Sequence, residues 1–507
     1  MKRSCRVWLA LTLSALPASA QAAEILLSGA SATNVTAIIA PDAVDVGSTV
    51  NVWMGAVYRG TLYMRNGSQW GAQASGSLPV AFSTRLSAST PVTVVDQIDI
   101  SGLVGLDLYV GYGSSEPDML ASPGKMSKIY TVPPPTSNVV PLTVDSGPFG
   151  LVQSDLNRPF ISVTVCSPGS AANCQTIDHI QVDTGSTGLR LISSVVTASL
   201  VLPNLRDASG APIADCVQFA DGTAVWGSVR TADIRIADAK ASSASIQIIG
   251  DSLFPTIPTA CGGLPVNTVQ SFGANGIIGL GYFREDCGSH CATHVTNGQY
   301  YACPASGCVG TAMPLAQQVA HPVALFAGDN NGVIIQLPAI PASGAANVTG
   351  SLILGIGTRS NNALGAAKVL TVDPLYGFMT TIFRNSSYFD SVVDSGSTAL
   401  FLPPGSGIPS CSRRDPLAAG FLCPSTTQNL SAINQGTNNA TDAVNFSVAN
   451  ARTLLLNSPL SALNNIAATN AYPYGFTWGL PFFYGRNVFT AIENANTPGG
   501  VGPYVAY

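Results

Sequence analysis

The sequence predicts an all-β protein built from more than one lobe. Gly (50 residues) and Pro (34) are frequent, charged residues make up only 10% of the chain, and helix-type periodicity is scarce, which favours many short strands joined by turns. A chain of 507 residues also exceeds what a single hydrophobic core organises. The third observation is a repeat: residues 180–189 return in near copy at 391–401, each a run with β-branched residues followed by an Asp, a small hydroxyl residue and a Gly. Each copy reads as a strand entering a tight turn, with Asp183 and Asp394 at the turns and Gly185 and Gly396 letting backbone approach closely. Two such turns meeting at a lobe interface would place two carboxylates side by side and force them to share a proton, an arrangement that activates water.

The chain opens with Lys2, Arg3 and Arg6, an apolar run over 7–16, and small residues at 18–20, the pattern of a cleaved secretory signal assigned here to 1–23. The apolar run is too short to span a bilayer and no later run is long enough, so no integral membrane segment is expected after cleavage. Cys5 lies in the signal; the other cysteines are even in number, as expected of a secreted or periplasmic chain in an oxidising compartment. A formal charge of −5 without any Lys/Arg cluster excludes a nucleic acid and an anionic membrane surface as partners.

Residues 24–132 read as a small β-sandwich: 49–58 alternates in its first half, Asn66-Gly67 signals a hairpin turn before Trp70, and 106–112 and 128–132 are further strands. This segment holds no cysteine and no acid–base cluster, which suits an accessory or binding module; a proteolytic prosegment is the competing reading. The prolines at 133–135 open a stiff linker over 133–139.

Beyond the linker, 160–166 is a strand, and Cys166 and Cys174 bracket a turn that feeds the first Asp turn. Residues 217–236 suggest a hairpin with an aromatic-bearing tip, and 275–281 set apolar residues between glycines, as in backbone threaded tightly against another strand. Cys287, His290, Cys291, His294, Cys303 and Cys308 invite a zinc reading, but in an oxidising compartment two local disulfides in a loop-rich insertion account for them, and no metal is expected. Proximity favours Cys166 with Cys174 and Cys411 with Cys423; Cys216 with Cys261 is a guess. His179 and His321 read as structural histidines, and the Gly-Asp-Ser-Leu at 250–253, an esterase-like string, follows a hairpin and is taken as chance. The second half restarts with a strand at 349–357 and runs into the second Asp turn; 411–470 carries no readable pattern, and the chain closes with 478–493 and 499–506.

With Asp183-Thr184-Gly185-Ser186 and Asp394-Ser395-Gly396-Ser397 on two turns, and 276–281, 350–355 and 479–506 correctly interleaved, residues 140–507 resemble the pepsin-like aspartic peptidases. The overall plan is similar to uncharacterised secreted bacterial proteins. The resemblance implies a bilobal double β-barrel, with lobes at 140–348 and 349–507 and a polypeptide substrate in the cleft between them. It implies that Asp183 and Asp394 hold the attacking water, that Thr184 and Ser395 hydrogen-bond across the interface, and that Ser186 and Ser397 donate to the outer carboxylate oxygens, with no cofactor. Phe219 stands where the family's flap usually carries a Tyr, Arg190 where a Trp is common, and Thr477 within an expected apolar pair; Trp226 is a candidate to supply an indole from the flap. The expected function is an aspartic endopeptidase; the alternative is a catalytically weak or inactive scaffold of the same shape that binds polypeptide or glycan.

Overall fold

The computed structural model describes residues 23–30, 33–133, 137–151, 156–456 and 460–507. The expected signal up to residue 22 and the centre of the expected linker, 134–136, lie outside them. The architecture is all-β, as the composition implies, and the chain divides into two compact units: residues up to 96 with 105–132, and 97–104 with 133–507.

The first unit pairs its strands in two antiparallel sheets. One joins Glu24–Ala30, Val35–Ala40 and Thr90–Val95; the other centres on Thr49–Tyr58, flanked by Thr61–Asn66 with Gln69–Ala72 and by Asp107–Gly113 with Met126–Thr131. Period-two alternation explains the burial, since Val35, Ala37 and Ile39 are fully buried on one face of their strand. Gly67 takes φ +60 in the turn between Thr61–Asn66 and Gln69–Ala72, which only a residue without Cβ adopts without cost.

The second unit contains the same supersecondary knot twice. The strand Cys174–Asp183 enters the first Asp turn, Thr187–Ile192 leaves it, and Gly276–Leu280 threads between them, parallel to the first and antiparallel to the second. In the other half, Ser386–Val393 and Leu400–Leu402 flank Thr477–Trp478 with the same parallel and antiparallel senses. Threading needs glycine: a Cβ on Gly279 would lie 2.3 Å from the Thr187 nitrogen, and one on Gly479 would lie 2.2 Å from the Ala399 carbonyl. The turns are closed alike, Gly281 N–H donating to the Ser186 carbonyl (3.0 Å) and Leu480 N–H to the Ser397 carbonyl (2.8 Å). The two halves share a sheet in which Val139–Val144, Val348–Leu354, Gly332–Leu337, Arg486–Ala491 and Tyr504–Ala506 lie side by side. Its buried Val, Ile and Leu residues join both halves into one apolar core.

Five disulfides form among the described residues: Cys166–Cys174, Cys216–Cys261, Cys287–Cys291, Cys303–Cys308 and Cys411–Cys423. Segment 411–470, without pattern in sequence, holds the hairpin Gln428–Gln435 with Thr441–Val448 and the helix Ala451–Leu456. Its inner face is built on the small Ala432 and on a buried Asn434, which accepts from Thr381 Oγ1 (2.7 Å) and Trp478 Nε1 (2.9 Å). An amide at an inward position breaks the apolar alternation that marks a strand.

Candidate active site

Each Asp turn is organised by its own hydrogen bonds. Asp183 Oδ1 accepts from Gly185 N–H (2.7 Å) and Oδ2 from the Ser186 hydroxyl (2.5 Å); Asp394 Oδ1 accepts from Gly396 N–H (2.8 Å) and Oδ2 from Ser397 Oγ (2.6 Å). The residue after each Asp then reaches into the opposite turn. Thr184 N–H donates to Ser395 Oγ (3.1 Å) and Ser395 N–H to Thr184 Oγ1 (3.0 Å), while the two hydroxyls donate to Val393 and Val182 carbonyls (3.3 and 2.8 Å). Both side chains are buried, so every donor and acceptor of this bridge is satisfied away from water.

The reciprocal bridge brings the carboxyls together. A Cβ on Gly185 would sit 2.8 Å from Asp394 Oδ1, and one on Gly396 would sit 2.4 Å from Asp183 Oδ1, so each glycine clears the space that the opposite carboxyl occupies. Burial, then the charge of Asp394 and a hydrogen bond to it, hold the Asp183 carboxyl well above the usual carboxylate range; the bonds from Ser186 and Gly185 pull the other way and are weaker. The pair therefore retains one proton at a pH where isolated carboxylates have lost theirs.

Two cavities meet at this pair. One, of about 560 Å³, is walled by Tyr282, Phe283, Tyr376, Phe378, Tyr472 and Thr477 among others; the second, of about 350 Å³, includes Asp183, Gln181, Phe219 and Phe272. Gly185, Ala220, Asp394 and Ser397 belong to both. Cavities of about 620 and 820 Å³ elsewhere are as large but hold no carboxylate in their walls. The arrangement can polarise a small nucleophile at an acid–base pair and seat an extended, partly apolar ligand across it.

Phe219 lies at the tip of the hairpin formed by Ile213–Gln218 and Thr223–Ile236, its N–H donating to the Thr223 carbonyl (2.8 Å) and its ring 6.2 Å from that of Phe272. Trp226 corrects the flap reading. Although it belongs to the same hairpin, its indole is buried against Tyr301 and the Cys216–Cys261 disulfide and donates to the Phe254 carbonyl (2.9 Å), and it lines neither cavity at the aspartates. Trp226 pairs directly with Cys216 and shares its face of the hairpin, whereas Phe219 lies three residues beyond Cys216, an odd step that turns its side chain to the opposite face. His179 pairs with Asp145 and Asp178 outside the cleft, and His321 is fully buried.

The aromatic wall was not read from sequence. Tyr282 follows the glycine-rich thread directly and could have been found there, whereas Tyr376 and Tyr472 carry no local signal and are assembled only by the fold.

A search of curated proteins found no match. Among solved structures, the aspartic proteinase from Irpex lacteus is 15% identical, with 73% of this chain and 96% of that chain covered and a TM-score of 0.41. Basic 7S globulin from soybean is 12% identical, with coverage of 70% and 93% and a TM-score of 0.38. A family model described as "Protein of unknown function (DUF3443)" matches residues 134–507, and the chain belongs to that family.

Proposed function

We propose that this protein is an aspartic endopeptidase that hydrolyses peptide bonds at Asp183 and Asp394. The observation that carries the reading is the reciprocal bridge between the two turns, which brings the Asp183 and Asp394 carboxyls together where two cavities meet, with the Asp183 carboxyl held above the usual range. In the reaction so proposed, the ionised carboxyl takes a proton from water as its oxygen attacks the scissile carbonyl carbon, and the protonated carboxyl donates to the carbonyl oxygen. The resulting tetrahedral diol collapses as the carbon–nitrogen bond breaks and a proton passes to the leaving amine. Ser186 and Ser397 would fix the orientation of the outer carboxylate oxygens. The substrate would be an extended polypeptide lying beneath the hairpin tip, and the disulfides suit a secreted or periplasmic enzyme.

The test is cleavage of a denatured protein at roughly pH 3 to 6, the range in which such a pair titrates. Asp183→Asn and Asp394→Asn are each expected to lower the rate by about 10²–10⁴-fold, the scale of a lost acid or base. Equal cleavage by all three forms, or by none, defeats the proposal. A second reading, a scaffold that binds polypeptide or glycan without cleaving it, is favoured by Phe219, whose ring offers no hydroxyl at the hairpin tip. Binding of pepstatin by a protein that cleaves nothing would support that reading instead.

A further inference from the structure

Outside the aspartate pair, the N-terminal half of the second unit buries another charged cluster, and it lies directly behind the first Asp turn. Arg190 stands on Thr187–Ile192, the strand that leaves that turn, with its side chain 2% exposed. Its Nη1 contacts Asp215 Oδ2 and donates to Gln247 Oε1 (2.9 Å); its Nη2 donates to Asp286 Oδ2 (2.7 Å) and to the Thr187 carbonyl (3.3 Å). One guanidinium thus joins four separate pieces of chain: Asp215 lies on a strand of the hairpin, Gln247 on Ala239–Ile249, Asp286 in the segment after the glycine-rich thread, and Thr187 at the exit of the turn. Only the planar five-donor fork of Arg can serve so many acceptors from one place.

The disulfide-stapled segment between Cys287 and Cys308 closes the cluster from outside. Tyr300 is fully buried; its hydroxyl donates to Asp286 Oδ1 (2.7 Å) and accepts from Val319 N–H (2.7 Å). Val319 in turn packs on Gly188, where a Cβ would meet its Cγ1 at 2.3 Å. The strand leaving the Asp turn is therefore gripped at Thr187, Gly188 and Arg190 by groups that also hold the hairpin and the insertion. The groups fit a brace and not a surface ion pair: two buried acidic side chains face one buried cation, and removing that cation takes a hydrogen-bond partner from each of them in the core.

We propose that Arg190 is a positioning residue that couples the seating of the Ile213–Gln218/Thr223–Ile236 hairpin, through Asp215, to the geometry of the Asp183 turn, through Thr187, with Tyr300 of the insertion as its outer stop. The catalytic consequence rests on the peptidase reading; the mechanical coupling does not. The experiment is hydrogen exchange on the full chain for wild type, Arg190→Lys and the milder Tyr300→Phe. Amides of the hairpin tip and of residues 184–188 are expected to lose protection together, by about tenfold or more in Tyr300→Phe, and further in Arg190→Lys. Faster exchange confined to residues touching the substituted side chain, with the turn as protected as in wild type, overturns the coupling. Kinetics on the same proteins supply the second readout. A drop in kcat of about tenfold with KM within about twofold in Arg190→Lys, and a milder drop in Tyr300→Phe, is expected of a displaced turn. Unchanged kcat in variants whose turn exchanges faster would also overturn the positioning role. A wild type that cleaves nothing removes the peptidase proposal alone, because the exchange experiment still decides the coupling.

Discussion

Gly185 and Gly396 set the approach of the two aspartates. Each occupies the place where a side chain would collide with the opposite aspartate, so the carboxyl pair exists only because two residues have no Cβ. Gly396→Ala puts a methyl 2.4 Å from Asp183 Oδ1, and the two carboxyls must part to admit it. The expected outcome is a folded protein, by circular dichroism, in which the proposed proteolytic rate is lower by about 100-fold or more, the cost of misplacing a reacting group by about 1 Å. The glycines were recognisable in the sequence as turn residues; that each one faces the opposite aspartate was not, because the sequence places them in separate halves.

The two Asp turns are elements that lock each other. Ser395 is the tighter half of the lock: its hydroxyl donates to the Val182 carbonyl and accepts from Thr184 N–H, and it is fully buried. Ser395→Ala leaves both backbone groups without a partner in the core, which is expected to cost about 1–3 kcal/mol, measured as a lower midpoint of urea unfolding. The hairpin illustrates the limit of reading elements from sequence. Its strands and tip followed from alternation and turn residues, yet Trp226 faces inward while Phe219 reaches the cleft, and the face each takes is set by packing against Tyr301 and Phe272. The same limit hid the hairpin Gln428–Gln435 with Thr441–Val448, whose inward Asn434 makes sense only once Thr381 and Trp478 arrive from distant segments.

For the whole molecule, the clearest expectation is a pH dependence with opposing contributions. Asp183 has a raised pKa in the folded state, so folded protein binds more protons there than unfolded protein; its stabilising contribution is complete below the unfolded value of about 4 and is lost as pH rises through the folded one. Asp215, pushed up to about 7 by burial against the weaker pull of Arg190, acts with the same sign. His321 acts with the opposite sign: burial lowers its pKa to about 4, so between there and the ordinary value of about 6.5 stability rises with pH. The net curve mixes these, and a difference between variants separates them. Asp183→Asn is expected to match wild type in stability at about pH 3 and to exceed it by about 1–3 kcal/mol near neutrality, where the mutual repulsion of two buried carboxylates is gone. Thermal unfolding of both proteins across pH measures this, and a constant offset at all pH values contradicts it.

What the sequence determined by itself is whatever repeats or lies close along the chain. The all-β class, the two Asp turns, the glycine thread at 276–281 and the short-range disulfides Cys166–Cys174 and Cys411–Cys423 all rest on periodicity, duplication and proximity. Tertiary structure alone decided the placing of Tyr376 and Tyr472 in the aromatic wall, the inward turn of Trp226, and the burial of Arg190 between Asp215 and Asp286. The physical reason is range. Backbone preferences and alternation act within a few residues, whereas a buried charge or a cleft wall is defined by groups that meet only after the chain has closed on itself.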